Sequence, residues 1–203
     1  MNRRRLLPVA LATVFALGVA IGARSQSTEA PIYHPEAQVY FSPRGGAQSV
    51  IIREVDGARV SIRVQAYSFT SAPIIAALVR AHARGVEVFV LLDKSQLRGK
   101  NSGADDTAGA GIPTGIDPKH PIAHSKIIVV DGETVLTGSF NFSKAAEEKN
   151  AENLLVLRDP SLAARYIVNW NAHAAHSYKI NADGTPSTDA PKAATLEAQG
   201  ARP

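Results

Sequence analysis

The sequence predicts an α/β fold in which a mixed β-sheet is flanked by helices on both faces. Short runs rich in β-branched residues alternate with longer runs whose apolar residues recur at helical spacing. From the N-terminal side the order is strand, helix, strand, helix, strand. An alternation of this kind is typical of a layered domain in which helices cover a sheet.

The first strand is predicted over 38–42, and the run Pro43-Arg44-Gly45-Gly46 ends it. A helix is predicted over 47–57, because the apolar residues of this segment are spaced for one helical face. The next strand, over 60–67, alternates between apolar and polar residues.

The second helix is predicted from Ala72 to Arg84, with Pro73 near its first position and Gly85 after its end. A buried strand over 87–93 follows. The segment 94–111 is rich in small and polar residues and is interpreted as a mobile loop, either a plain surface connection or a substrate lid. The pair Asp105-Asp106 in this loop is interpreted as solvated.

The chain divides into four predicted parts. Three arginines followed by an apolar run are typical of a secretory signal, and a retained membrane anchor is the alternative. The C-terminal part lacks any apolar period and is predicted to be disordered. The parts are a signal peptide or anchor (1–25), a linker (26–36), the folded domain (37–178) and a tail (179–203). An exported protein, periplasmic or secreted, is therefore expected.

Charge and cysteine content exclude several classes of function. The net charge is +4, but setting aside Arg3, Arg4 and Arg5, which precede the apolar run, leaves 19 of the 22 basic residues against 18 acidic residues. Bulk charge therefore does not argue for nucleic-acid binding. The chain has no cysteine, which excludes disulfides, thiolate catalysis and zinc sites built on cysteine.

The stretch from Ile122 to Asn141 is predicted to form a β-hairpin around the turn Asp131-Gly132. Residues two apart on a strand share a face, so His124 and Lys126 are expected to point the same way. On the return strand, Ser139 and Asn141 are likewise expected to share one face. Asp131 is out of phase with the first pair, and we expect its carboxylate to bind a cation or backbone amides.

These side chains suit a phosphodiester substrate. A neutral imidazole is a nucleophile at phosphorus, an ammonium supplies positive charge, and Ser and Asn donate hydrogen bonds to phosphate oxygens. Fixed donors can hold the charge of the transition state, so no metal and no other cofactor is expected. Gly138 lacks a side chain and would let backbone or substrate approach closely.

The run His124-x-Lys126-x4-Asp131-x6-Gly138-Ser139-x-Asn141 resembles the HKD signature of the phospholipase D superfamily at every position. The wider sequence is similar to the small bacterial endonucleases of that superfamily. The matching segments are Tyr40-Phe41-Ser42-Pro43, Ala66-Tyr67-Ser68-Phe69-Thr70 and 137–147.

The resemblance implies a homodimer and a set of catalytic and phosphate-binding residues. The chain has one signature, whereas the family reaction needs two histidines, so a homodimer with a shared active site is expected. Glu152 is expected to hydrogen-bond the second ring nitrogen of His124, with Asn153 as a less certain neighbour. The expected catalytic residues are His124, Lys126, Asp131 and Glu152. The expected phosphate-binding residues are Lys126, Ser139 and Asn141.

The predicted function is a metal-independent phosphodiesterase that works through a phosphohistidine and acts as a low-specificity endonuclease on DNA or RNA. The alternative is a phospholipase D that hydrolyses phosphatidylcholine or cardiolipin. A non-catalytic binding module is disfavoured, because binding alone does not require this set of side chains.

Three of the five histidines outside the signature are candidate ligands of a metal or a phosphate. His173 and His176, three apart on a predicted helix, have a spacing that suits a metal, but such a pair more often marks a helix end. His120, next to Lys119, is interpreted as part of a surface loop, with contact to substrate phosphate as the alternative.

Overall fold

The computed structural model describes residues 36–187. The predicted signal peptide, the linker up to residue 35 and the tail from residue 188 lie outside the described residues. The strands are β1 (Glu36–Ser42), β2 (Ser61–Ala66), β3 (Glu87–Asp93), β4 (Thr114–Asp117), β5 (Lys126–Val130), β6 (Thr134–Gly138), β7 (Glu152–Arg158) and β8 (Tyr178–Lys179). The helices are α1 (Ala47–Gly57), α2 (Ala72–Ala83), α3 (Ala104–Gly109), α4 (Lys144–Glu148) and α5 (Pro160–Ala174).

The eight strands form one sheet in the order β1-β7-β6-β5-β2-β3-β4-β8. The neighbours β2, β3 and β4 run parallel, and the remaining pairs are antiparallel. Parallel pairing arises where a helix such as α2 carries the chain back across the sheet, whereas β5 and β6 are joined by a tight turn. The mixed sheet is as predicted.

Helices cover both faces of the sheet, which confirms the predicted architecture. On one face the main core packs buried side chains of α1 and α2, such as Ile51 and Leu78, against Ile62 and Ile128 of the sheet. On the other face α5 packs against a smaller apolar cluster on β5 and β6. The Trp170 indole of α5 donates a hydrogen bond to the Val64 carbonyl at 2.9 Å, which fixes α5 on the sheet.

The prediction of a mobile loop over 94–111 is wrong. A 3₁₀ helix spans Lys94–Arg98, and α3 follows it. The Asp93 carboxylate caps this 3₁₀ helix by accepting a hydrogen bond from the Ser95 amide at 2.9 Å. In α3, Thr107 and Ala108 are buried against the core. Burial therefore orders a segment whose small, polar residues favour a loop locally.

The fold also extends past the predicted domain boundary at 178. β8 pairs with β4, the Ile180 amide donates to the Thr114 carbonyl at 3.0 Å, and Ile180 is buried. This edge strand is too short to show an apolar period, so the sequence pattern does not reveal it. Within the described residues, no helix has both the length and the apolar character needed to cross a membrane.

The hairpin turn has the predicted geometry. Asp131 and Gly132 have φ values of 53° and 70°, as a tight turn between right-twisted strands requires. The Asp131 carboxylate accepts hydrogen bonds from the amides of Arg59, Val60 and Ser61 at 2.9, 2.8 and 2.9 Å. The expectation that Asp131 binds backbone amides is confirmed.

Asp131 lies at the opposite end of β5 from Lys126, so its grouping with the catalytic residues needs correction. Its carboxylate ties the hairpin to the start of β2 and has no contact with the other signature residues. The physical reason is the length of β5, since five residues of strand separate the two ends by more than 10 Å.

We expect Asp131→Ala to lower the free energy of unfolding by about 2–3 kcal/mol, because three amides lose a charged acceptor. Asp131→Asn should cost less, since it keeps one acceptor oxygen and tolerates a positive φ. Urea unfolding measures both. A fully stable but inactive Asp131→Ala chain would contradict the structural role.

Candidate active site

His124 lies in the segment just before β5, and its side chain is exposed. The strand therefore begins at Lys126, four residues after the predicted start at Ile122. The imidazole packs against the Tyr67 ring, with 4.5 Å between ring centroids and 54° between planes. The Tyr67 amide donates to the Ser125 carbonyl at 3.0 Å, so the backbone beside both rings is fixed.

A buried carboxylate holds the residue before His124. Asp93 is 3% exposed, and its Oδ2 accepts a hydrogen bond from the Ala123 amide at 2.7 Å. Burial opposes ionisation of Asp93, but the hydrogen bonds from Ser95 and Ala123 outweigh it and lower its pKa. Asp93 thus joins the end of β3 to the backbone that carries His124.

Lys126, the first residue of β5, is 7% exposed. Its Nζ donates a hydrogen bond to the His124 carbonyl at 2.7 Å and lies 5.1 Å from the centre of the Tyr67 ring. Burial lowers the pKa of Lys126, and the charge of Glu152 partly opposes this shift. The structure brings His124 and Lys126 together: the desolvated ammonium contacts the His124 carbonyl and the Tyr67 ring, and the same ring packs on the imidazole.

Ser139 and Asn141 follow β6. The Ser139 hydroxyl is exposed and accepts hydrogen bonds from the amide and the side-chain nitrogen of Asn153, at 3.1 and 3.3 Å. Asn141 has a buried Oδ1 without a hydrogen-bond partner among the described residues. The flanking Phe140 and Phe142 are each 1% exposed, so they anchor the segment in the core. Since a buried carbonyl oxygen is costly to leave unpaired, Asn141 is suited to bind a donor from outside the chain.

Glu152 opens β7 opposite Ser42 of β1. Its Oε1 accepts a hydrogen bond from the Asn150 side chain at 3.1 Å. Among the described residues it forms no hydrogen bond with His124, which corrects the expected contact. The imidazole packs on Tyr67 instead, and Glu152 acts on the site through its charge, by raising the pKa of Lys126 against the effect of burial.

Known proteins with similar sequences identify the family of this chain. A profile described as "Cardiolipin synthase, PLD-like domain" matches residues 51–173. A protein of Rickettsia felis named phospholipase D is 35% identical over 193 residues, which cover 84% of this chain and 96% of the relative. The chain belongs to the phospholipase D superfamily. It is accordingly a phosphodiesterase.

Two other similar proteins are informative. The crystal structure of Nuc, a phospholipase D family member from Salmonella typhimurium, matches with a TM-score of 0.70 and 41% identity over 73% of this chain and 99% of Nuc. A mitochondrial cardiolipin hydrolase of Xenopus laevis is 32% identical over 120 residues, which cover 59% of this chain and 57% of that protein.

The glycine of the phospholipase D signature is required by a close backbone contact. A Cβ on Gly138 would lie 2.3 Å from the Asn153 carbonyl oxygen, and the φ of Gly138 is 148°. That oxygen accepts hydrogen bonds from the amides of Ser139 and Phe140 at 3.1 and 3.2 Å. The expected close approach at Gly138 is confirmed, with backbone as the approaching group.

Gly138→Ala should destabilise the fold by about 2–4 kcal/mol, because strain and steric overlap both act at this position. It should also lower activity by displacing Ser139. Gly57→Ala is a matched control, since nothing lies within 4 Å of its Cβ. Thermal unfolding and initial rates measure the two effects. Equal stability of the two variants would contradict the steric argument.

The sequence pattern revealed neither the role of Asp93 nor the packing of Tyr67 on His124. An acidic residue at the carboxyl end of a buried strand is a general pointer to a site, because loops at that edge of the sheet carry function. The contact between Asp93 and Ala123 joins residues 30 apart, so only the tertiary structure reveals it.

Proposed function

We propose that this phosphodiesterase is a metal-independent, low-specificity endonuclease that forms a phosphohistidine on His124. The observation that carries the proposal is the pairing of an exposed imidazole with a buried ammonium, joined through the His124 carbonyl at 2.7 Å. An exposed imidazole can reach a polymeric phosphodiester. A desolvated cation beside it stabilises the charge that develops on phosphorus.

In the proposed reaction, an imidazole nitrogen of His124 forms a bond to phosphorus while the bond to the leaving oxygen breaks. A second protonated histidine gives its proton to that oxygen. Water then attacks the phosphohistidine and gives its proton to the second histidine, and His124 is released. The Lys126 ammonium, the Ser139 hydroxyl and the side-chain nitrogen of Asn141 are proposed to donate hydrogen bonds to the non-bridging oxygens throughout.

The second histidine is proposed to be His124 of another copy of the chain. Val39 and Phe41 on the edge strand β1 are 49% and 61% exposed, and alternation places them on one face. Ile122, two residues before His124, is 57% exposed. A second copy that covers these apolar side chains would bring the two histidines to one phosphate by two-fold symmetry.

Mixing tests the shared site. When wild-type chain is refolded with an excess of His124→Ala chain, the activity should fall below the value expected from the fraction of wild-type chain. The reason is that each mixed dimer lacks one of the two histidines. Phe41→Asp should sediment as a monomer with little activity. Val168→Asp, at a side chain 69% exposed on α5, is the matched control. A fully active monomer would refute the shared site.

Substrate choice is tested with supercoiled plasmid, single-stranded RNA and liposomes side by side in chelator. Support for a nuclease comes from the resemblance of the segments 40–43, 66–70 and 137–147 to the small bacterial endonucleases of the superfamily. Nicking by wild type and none by His124→Ala is the expected result. An exported enzyme, as the residues before 26 suggest, would meet nucleic acid outside the cytoplasm.

The second candidate is a phospholipase D, favoured by the Rickettsia felis relative of that name and by the exposed apolar side chains near His124. Release of choline from phosphatidylcholine, or of phosphatidic acid from cardiolipin, without plasmid nicking would replace the nuclease proposal by this one.

A further inference from the structure

A second group of chemically active side chains lies on the sheet away from the signature. Asp117, His120, His173 and His176 each turn one ligand atom toward a common point, and these four atoms lie within 4.8 Å of one another. Both His120 Nδ1 and His173 Nδ1 contact Asp117 Oδ2, at 2.9 and 2.8 Å. His176 Nε2 lies 3.2 Å from Asp117 Oδ1.

Three separate parts of the fold build this cluster. Asp117 ends β4 and is 2% exposed, and His120 lies in the segment that leads toward His124. His173 lies in the last turn of α5, and His176 lies two residues past the end of that helix. The packing of α5 on the sheet brings the end of the helix to the end of β4. The side chains of His120, His173 and His176 are 39%, 19% and 24% exposed, so the cluster is partly shielded from solvent.

The hydrogen bonds within the cluster are incomplete. Two imidazoles share one carboxylate oxygen, while the buried His176 Nε2 has no hydrogen-bond partner within the described part of the chain, in spite of its closeness to Asp117. A buried ring nitrogen without a partner costs free energy. A cation at the common point would bind this nitrogen together with the Asp117 carboxylate and the other two imidazoles.

The donor set and its dimensions suit zinc. Three imidazole nitrogens and one carboxylate oxygen are ordinary ligands of Zn²⁺, at bonds of about 2.0–2.1 Å. In a tetrahedron with such bonds the ligand atoms lie about 3.3 Å apart. The His120 and His173 nitrogens lie 2.9 and 2.8 Å from Asp117 Oδ2, and His176 Nε2 lies 3.2 Å from Asp117 Oδ1. All four ligand atoms lie within 4.8 Å of one another, so zinc binding requires rotation of the side chains and no rearrangement of the fold.

We propose that Asp117, His120, His173 and His176 form a structural zinc site that fastens the segment before His124 to the end of α5. Four protein ligands close the coordination sphere, which is the arrangement of structural sites and not of catalytic ones. The proposed phosphoryl transfer does not pass through this ion.

The site would stabilise one end of the segment 118–123, whose other end is held by the bond between the Ala123 amide and Asp93. The Lys119 amide also donates to Asp117 Oδ1 at 2.9 Å. In the metal-free chain these hydrogen bonds keep the segment in place. DNA nicking in chelator therefore does not require zinc, and a failure of zinc binding can be told apart from a failure of the proposed nuclease activity.

Zinc binding is measured on the untagged chain after chelator treatment and gel filtration. We expect one Zn²⁺ per chain in competition with a chromophoric chelator, and with Co²⁺ the intense visible absorption of a tetrahedral site. Zn²⁺ at a hundred times its Kd should raise Tm by roughly 5–10 °C. Mg²⁺ should do neither, because it prefers oxygen ligands.

The variants His120→Ala and His176→Ala should each weaken zinc binding at least about a hundredfold, since each removes a ligand. His82→Ala, which removes a histidine of α2 outside the cluster, is the matched control. His120 is the most exposed ligand, so its variant should fold even if that of His176 does not. Absence of stoichiometric zinc, or equal affinity in His120→Ala and His82→Ala, would overturn the proposal.

Discussion

Replacement of His124 by alanine is expected to lower kcat for phosphodiester hydrolysis by roughly 10³–10⁶-fold, the range found when a nucleophile is removed. The imidazole is the proposed group that bonds to phosphorus, and no other histidine side chain contacts it in the described residues. Because His124 is exposed, its loss should change Tm little. Initial rates on plasmid and a thermal melt measure the two effects.

The control for this variant is His82→Ala, which removes the same side chain far from the signature and should keep wild-type kcat. Rapid quench with labelled substrate should also trap an acid-labile phosphoryl group on the wild type and none on His124→Ala. Full activity of His124→Ala, or an unchanged yield of labelled protein, would exclude His124 as the nucleophile.

Lys126→Met is expected to lower kcat by about 10²–10³-fold, the usual effect of removing one preorganised group that holds transition-state charge. Methionine keeps the length and removes the charge. The variant should be at least as stable as the wild type, because a side chain only 7% exposed no longer carries an ammonium. Lys126→Arg tests whether charge alone is sufficient, and unaltered kcat in Lys126→Met would contradict the proposed role.

The buried ammonium also predicts a pH dependence. Burial favours neutral Lys126 and lowers its pKa below the ordinary value of 10.5. Between the folded pKa and 10.5 the unfolded chain therefore binds more protons than the folded chain, so stability contributed by this group rises with pH through that window. Activity should fall through the same window, because the cation is lost. Lys126→Met should lack the rise in stability, which urea unfolding at several pH values measures.

Local patterns identified most of the fold. The helix over Ala47–Gly57 and the strand over Glu87–Asp93 are found at the predicted bounds. The turn at Asp131-Gly132 is likewise as predicted, since both residues favour positive φ. Patterns of this kind depend on neighbours a few residues apart, and the same short-range rules of burial and turn geometry act in the sequence and in the fold.

The errors arise where long-range contacts outweigh local preference. Helix α3 forms in a segment of small and polar residues because its buried side chains pack on the core. The expected contact between Glu152 and His124 is not found, because pairing of β7 with β1 sets Glu152 opposite Ser42, where its carboxylate accepts a hydrogen bond from the Asn150 side chain. Neither outcome can be seen in the local sequence.

The sequence by itself determined the family, and it predicted that His124 and Lys126 lie together and that the Asp131 carboxylate binds backbone amides, because the spacing of the signature encodes a strand, a turn and a return strand. Only the tertiary structure decided that Asp93 holds the backbone before His124 and that Asp117 meets three histidines. The spacing from His173 to His176 alone is that of an ordinary helix end. Asp117 lies 56 residues before His173, and only the packing of α5 on the sheet brings them to 2.8 Å.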